Sequence, residues 1–231
     1  MKRLAVIIAL GLVIGSGAFL NTWAENQTLK QNNLFELENL KSMEYFPLKE
    51  GNTWTYQGQR KYREESKDIE EKLDIEMRVD KVYKFKEYSL ASMSGDIFSL
   101  EKSGKFGIMN ISNKIYYVPE NVMKKIIDKK DEGVFLETDD MNQISLLFEF
   151  PMFDGQRVGS LEQTMHPTDR YKDVVTKKVE NGKTSYEVRF ETGPDITTKT
   201  FIPYTGISKI QYHHKGTPDD FELNLKSSNL K

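Results

Sequence analysis

The sequence predicts an all-β protein built from two related antiparallel meanders, arranged either as a sandwich or as a curved, partly open barrel, with one short helix between them. Three observations support this fold class. Apolar and charged residues alternate along several segments, which is the period of a strand with one buried face. An Asn-Gly pair at 181–182 separates two such segments. A nine-residue motif that starts at Phe46 recurs 104 residues later.

The chain begins with the three parts of an export signal. The start contains the basic residues Lys2 and Arg3, 4–20 form an apolar run, and Thr22-Trp23-Ala24 places small residues at the −3 and −1 positions. Residues 1–24 are therefore predicted to be a signal peptide that is cleaved between Ala24 and Glu25. The alternative is a retained anchor, but a helix over 4–20 spans roughly 25 Å, whereas the hydrocarbon core of a bilayer is ~30 Å thick. We expect an extracytoplasmic protein (secreted, at the cell surface or in the periplasm) with no stable membrane span after cleavage.

Composition excludes several kinds of chemistry. The 231 residues include no cysteine, which rules out disulfides, thiol nucleophiles, zinc-thiolate sites and lipid attachment at a cysteine. From Glu25 onward the chain has 31 basic and 35 acidic residues, a net charge of −4. Because nucleic acid and anionic lipid are bound largely through clustered Lys and Arg, neither is expected to be a partner.

The mature chain is predicted to contain one domain. Residues 25–43 are polar, with leucines at 34, 37 and 40, which fits either a spacer or a short amphipathic helix. Residues 44–231 are predicted to be a single β domain with internal duplication. Its halves, 44–118 and 148–231, are joined by 119–147.

Alternation is clearest in two strands and one hairpin. The apolar members of the two strands are Leu73, Ile75, Met77 and Val79, and then Phe221, Leu223 and Leu225. Asn181 and Gly182 tolerate the positive φ of a type I′ turn, which pairs Glu180 with Lys183 and Val175 with Val188. One face then carries Val175, Val179, Tyr186, Val188 and Phe190, so the hairpin covers a core on one side.

The connecting segment is predicted to hold a helix and a strand. After Pro119, the residues Val122, Met123, Ile126 and Ile127 share a helical face. Glu120 near the start and Lys129-Lys130 near the end suit the helix dipole. Beyond an acidic loop, the apolar run 144–150 is predicted to be a buried strand that ends at Pro151.

Two sequence echoes indicate the duplication. Residues 46–54 (FPLKEGNTW) recur as 150–158 (FPMFDGQRV), at an offset of 104. A second echo, at an offset of 99, relates Asp96-Ile97, Gly107-Ile108 and Ile111 to Asp195-Ile196, Gly206-Ile207 and Ile210. We assign the difference of five residues to a longer loop at 60–72. The motif is a strand-entry device, because Pro fixes φ and the acid-Gly pair makes a turn.

These residues also carry a resemblance to a known group. Tyr45-Phe46-Pro47-Leu48, Gly51 and Trp54-Thr55-Tyr56, followed by 204–209 (YTGISK), resemble bacterial extracytoplasmic β-proteins with a "PLxxGxxWxY" start and a late "GxGLVK"-like strand. Some of those proteins are lipoproteins, and others are grouped with copper amine oxidase N-terminal-like domains. The chain differs from that group in two ways. One glycine of the late motif is replaced, and there is no lipid-attachment cysteine. The resemblance implies compartment and fold, and no activity.

Residues that could carry catalysis or bind a metal ion do not form a recognisable set. His213 and His214 are adjacent in a predicted strand and point to opposite faces, and His166 is remote in sequence. The acid pairs Glu64-Glu65, Asp139-Asp140 and Asp219-Asp220 are interpreted as solvated loops. We therefore predict no catalytic residue, no metal site and no cofactor.

One aromatic stripe has two interpretations. Trp54 and Tyr56 share a strand face, and Tyr62 joins them if the strand continues. An exposed stripe would stack on sugars or shelter a lipophilic ligand, whereas a buried one is core. The apolar motif that precedes it favours core.

The sequence thus indicates an exported, non-enzymatic cell-envelope or secreted protein that binds an unknown protein or wall component. The alternative is a carrier that holds a lipophilic small ligand in a curved sheet. A hydrolase that uses paired acids is a third and weaker hypothesis. A continuous apolar cavity of ~300–1,000 Å³ would favour the carrier.

Overall fold

The computed structural model describes residues 45–129, 138–157 and 174–231. The predicted signal peptide, its cleavage site at Ala24 and Glu25, and the segment 25–43 lie outside the described residues, as does His166. Within the described ranges, no helix combines the length and the apolar character that crossing a bilayer requires.

The described residues form eleven antiparallel strands in two meanders. The first meander comprises β1 (Thr53–Glu64), β2 (Lys67–Lys84), β3 (Tyr88–Asp96), β4 (Glu101–Ile111), β5 (Lys114–Pro119) and β6 (Ser145–Glu149). The second comprises β7 (Val174–Glu180), β8 (Lys183–Thr192), β9 (Asp195–Ile202), β10 (Gly206–His214) and β11 (Asp220–Asn229).

The two meanders join edge to edge through β1 and β11. Trp54 of β1 faces Met77 of β2 on one side and Ser228 of β11 on the other. The resulting order is β6-β5-β4-β3-β2-β1-β11-β10-β9-β8-β7, curled into a half-barrel. The all-β prediction is confirmed in its curved, partly open form. The sandwich alternative is wrong, because the β1–β11 ladder makes the meanders one sheet rather than two facing layers.

The concave face holds the main core, and strands near the two ends of the sheet contact each other across it. Seven strands separate β6 from β9 in the sheet order, yet the rings of Phe148 and Phe201 lie 4.9 Å apart. The predicted alternation in β2 holds, since Leu73, Ile75, Met77 and Val79 are all buried on this face. Burial of apolar surface from both halves is the main stabilising contribution in such a sheet.

A helix covers the opposite face of β3, β4 and β5. Helix α1 (Glu120–Asp128) begins after Pro119, as predicted, and packs Val122, Met123 and Ile126 against a second apolar cluster on those strands. A helical turn, α2 (Thr138–Met141), precedes β6. The predicted strand over 144–150 is confirmed as β6, an end strand of the sheet with Leu147 and Phe148 buried.

The predicted hairpin is confirmed in turn and register. Asn181 and Gly182 both have positive φ, 51° and 75°, and Val175 pairs with Val188. The prediction that the whole apolar face is buried is wrong at Val179, which is 62% exposed. Val179 is exposed because it lies next to the turn, and this end of the hairpin extends beyond the elements that cover its base.

The two copies of the strand-entry motif have the same hydrogen-bond pattern. Gly51 N–H donates to the Val79 carbonyl, and Val79 N–H donates to the Asn52 carbonyl. In the second copy, Gly155, Val175 and Gln156 take these three roles.

The two copies of the motif also share the backbone conformation of the glycine and the hydrogen bond of the acidic side chain. Gly51 and Gly155 have φ values of 79° and 74°. The carboxylates of Glu50 and Asp154 each accept a hydrogen bond from a backbone N–H of the neighbouring strand, in both cases at 2.9 Å. This shared geometry supports the proposed internal duplication.

Two details of the proposed duplication differ in the structure. Gly107 lies inside β4, whereas Gly206 begins β10, so the second echo does not mark equivalent positions. Residues 60–72 are not the expected longer loop. They form most of the β1–β2 hairpin, whose turn residues Glu65 and Ser66 both have positive φ.

Candidate ligand-binding cleft

One row of side chains crosses five strands on the concave face. Each member of the row is paired with the next member on the neighbouring strand. In the order of the strands β1, β11, β10, β9 and β8, the members are Arg60, Phe221, Tyr212, Thr197 and Phe190. Directly paired residues point to the same side of a sheet. The row therefore forms the floor of a cleft at one end of the curled sheet. A second row lies deeper, where Ile210 pairs with Lys199.

The opposite wall comes from the first meander. It consists of the β3–β4 loop with Phe98 and Leu100, the ring of Tyr117 on β5, and residues 144–147 leading into and along β6. Together with the floor, these residues enclose a cleft of about 600 Å³. That volume falls within the ~300–1,000 Å³ of small-molecule sites.

A buried aspartate fixes the β3–β4 loop. Asp96 is 3% exposed, and its Oδ1 accepts hydrogen bonds from the N–H groups of Phe98 and Ser99. The Tyr117 hydroxyl donates to its Oδ2 at 2.9 Å. Burial, and then the negative charge of Asp96, raise the pKa of Tyr117 well above the usual value. The hydroxyl therefore stays protonated and keeps the wall in place.

The floor carries its own polar contacts. Arg60 contacts Asp219, which precedes β11, and its guanidinium lies 4.7 Å from the centre of the Tyr62 ring. Tyr212 stacks on Phe221 and donates to Asp195 at 2.6 Å. That hydrogen bond, together with burial, raises the pKa of Tyr212 to about 12.

The aromatic stripe predicted as core is buried. Trp54 and Tyr56 have no exposed surface, so the core interpretation is confirmed for both. The Trp54 indole N–H donates to the Thr205 carbonyl at 2.6 Å, and the Tyr56 hydroxyl donates to the Ile207 carbonyl at 2.8 Å. Tyr62 continues the same strand face, and its ring lies beside Arg60 instead of in the core.

The two described histidines contact different partners. His213 contacts Asp220 on β11, whereas His214 accepts a hydrogen bond from the N–H of Thr217, as expected for neighbours on opposite faces. Among the described residues, no group of three or more His, Asp or Glu is placed to hold a metal ion.

The interpretation of the acid pairs as solvated loops is wrong for Asp139-Asp140. Asp140 lies in helix α2, is 5% exposed and contacts the Lys125 ammonium at 2.7 Å. Asp219 lies in the loop before β11 with 37% of its side chain exposed, as expected, and it also contacts Arg60 and lines the cleft. Glu64 and Glu65, at the β1–β2 turn, are exposed as expected.

Sequence reasoning missed the cleft residues themselves. Phe221 was recognised as part of an alternating strand and Phe190 as part of the hairpin face, but nothing local indicates that they lie in one row. The charged surroundings of Arg60 predict a loop at this position. The register of the β1–β11 ladder, which no local pattern encodes, brings Arg60 beside Phe221.

The chain is similar to several solved structures. No protein-family model and no curated protein matches the chain. A candidate exported protein with a YmcC-like fold from Bacteroides fragilis is 12% identical, with a TM-score of 0.39, over 80% of this chain and 98% of that one. A candidate lipoprotein from Parabacteroides distasonis is 10% identical, with the same TM-score and coverage. At TM-scores below 0.5 these similarities carry no inference about this chain.

Proposed function

We propose that the protein is an exported, non-enzymatic binding protein that holds a small lipophilic molecule in the cleft of its curled sheet. The observation that carries the proposal is the cleft of about 600 Å³ between the two meanders. Aromatic and aliphatic side chains dominate its lining, and a few hydroxyl and charged groups lie among them. This is the usual composition of a small-molecule site.

The floor and the opposite wall of the cleft are both held in place, which supports a preformed site. The floor is part of the continuous sheet, and Asp96 ties the β3–β4 loop to Tyr117 on the wall. A site that is already ordered loses less conformational entropy when a ligand binds. Export is supported by the signal-like residues 1–24 and is part of the proposal.

Two adjacent threonines of β9 provide a matched test. Thr197 pairs with Tyr212 on the concave floor, whereas Thr198 pairs with Gln211 on the opposite face. In the Thr197→Trp variant the indole would occupy the cleft, and we expect the affinity for a fluorescent lipophile to fall at least about tenfold. The Thr198→Trp variant adds the same side chain outside the cleft and should bind as the wild type does. Equal affinities of the two variants would count against the cleft.

The broader hypothesis, a surface that binds a wall component or a protein, has one favourable observation. Tyr204 is 61% exposed and has a φ of 63°, which is unusual for a residue with a side chain. With Tyr45 and Tyr186 it lines a second cavity of about 680 Å³. Co-sedimentation with purified cell walls tests this surface. Tyr204→Ser should abolish wall binding and the control Val179→Ser should not, while unchanged binding of both variants would refute it.

A further inference from the structure

The charged groups of the cleft indicate which lipophiles it would select. Arg60 lies at the end of the floor row, beside Phe221, with 35% of its side chain exposed. Among the described lining residues, Asp219 is the carboxylate that contacts Arg60. A ligand with one negative charge would compete with Asp219 for this guanidinium.

The contact between Arg60 and Asp219 is longer than the usual charge-assisted hydrogen bond. Nε and Nη2 of Arg60 share Oδ1 of Asp219 at 3.2 Å each, and the second oxygen is 3.4 Å from Nη2. Charge-assisted hydrogen bonds are usually ~2.7–2.9 Å long. The pair Arg63–Asp68, on the outer part of the same hairpin, has such a contact, at 2.7 Å.

Arg60 also retains a donor for a ligand. Its Nη1 has no hydrogen bond to any of the described residues, and an arginine presents five N–H donors in a planar fork. The Tyr62 ring below the guanidinium holds the group by a cation–π contact. The fork therefore lies at the end of the cleft floor, with Asp219 as its carboxylate partner among the described residues and Nη1 left for a ligand.

We propose that the cleft selects a long-chain monocarboxylate, whose head group binds Arg60 in place of Asp219. This inference rests on the proposed function. The hydrocarbon chain would lie along Phe221 and Ile210 towards Leu146, all of which line the cleft. The exchange involves no covalent step, because one carboxylate replaces another on the same guanidinium.

Paired probes test the proposal on the full-length mature protein. A fluorescent long-chain carboxylate and its methyl ester have the same chain and differ in charge. We expect the wild type to bind the carboxylate about tenfold tighter than the ester, since a charge-assisted hydrogen bond is lost with the ester. Arg60→Gln should abolish this preference by weakening the carboxylate and leaving the ester unchanged. Asp219→Asn should strengthen binding of the carboxylate, because it removes the competing anion.

Two further variants keep the test decisive. Arg60→Lys retains the charge and should retain part of the preference, which separates loss of the head-group contact from misfolding. Arg63→Gln removes an arginine of an outer ion pair and should change neither affinity. If the wild type binds both probes equally well, the head-group proposal is overturned while the cleft stands. If neither probe binds, the proposed function fails as well.

Discussion

Replacing Tyr56 with phenylalanine tests a contact that ties the first meander to the second, from β1 over β11 to β10. The Tyr56 hydroxyl donates to the Ile207 carbonyl at 2.8 Å, and the tyrosine has no exposed surface. The acceptor lies at a register shift in the β9–β10 ladder, between Ile207 and Lys209. The variant keeps the ring, so packing is preserved and the hydrogen bond alone is lost.

The expected loss of stability follows from that geometry. A buried acceptor left without its donor costs about 1–3 kcal/mol in the free energy of unfolding. For a domain of this size, each kcal/mol lowers Tm by ~2–4 °C, so we expect Tm to fall by roughly 3–10 °C. Urea unfolding followed by tryptophan fluorescence measures the free energy directly.

A second tyrosine provides the control. Tyr204→Phe removes a hydroxyl from a side chain that is 61% exposed, and surface substitutions of this kind usually change stability by less than about 0.5 kcal/mol. If Tyr56→Phe is as mild as this control, the hydroxyl contact does not stabilise the junction, and the reasoning is wrong.

Three further predictions concern the strand junction, the cleft wall and pH. In Gly58→Ala the new Cβ would lie 1.7 Å from the Glu222 carbonyl oxygen, so the β1–β11 ladder must shift, at a cost of about 2–4 kcal/mol in urea unfolding. Asp96→Ala leaves the β3–β4 loop and the Tyr117 hydroxyl without their acceptor, and should lower both stability, by about 1–3 kcal/mol, and affinity for a lipophile. Burial raises the pKa of Tyr56 well above the usual tyrosine value of about 10. The stability from its neutral form is therefore intact below pH ~10 and decreases above it by up to ~1.4 kcal/mol per pH unit.

Each of these predictions has a contradicting result. A Gly58→Ala variant within about 0.5 kcal/mol of the wild type would mean that the ladder adjusts without cost. An Asp96→Ala variant with unchanged affinity would mean that the loop does not shape the cleft. The pH dependence is checked by urea unfolding between pH 9 and 11, and Tyr56→Phe should have a shallower slope there. Equal slopes would contradict the assignment.

The elements that follow from local patterns were predictable. Alternation in β2 places Met77 and Val79 inside, the Asn-Gly turn sets the β7–β8 register, and the apolar spacing after Pro119 gives helix α1. In each case neighbours in sequence determine the conformation, since turn geometry and side-chain period act over a few residues.

The arrangement of the sheet and the cleft depends on contacts between distant residues. Arg60 and Phe221 become neighbours because β1 and β11 pair, and no short-range pattern specifies that partner. Charge misled the interpretation of 60–72, because a β-hairpin that reaches beyond the core exposes both faces and loses its apolar alternation. The contact of Asp219 with Arg60 is likewise not predictable from local sequence, since the two residues are 159 positions apart.

The central claim, that the cleft holds a lipophilic molecule, is tested most directly by native mass spectrometry of the protein purified from its own host. We expect the wild type and Thr198→Trp to carry a bound lipophilic molecule, and Thr197→Trp to have the mass of the polypeptide alone. A wild-type protein with no bound mass, or the same bound mass on both variants, would contradict the claim.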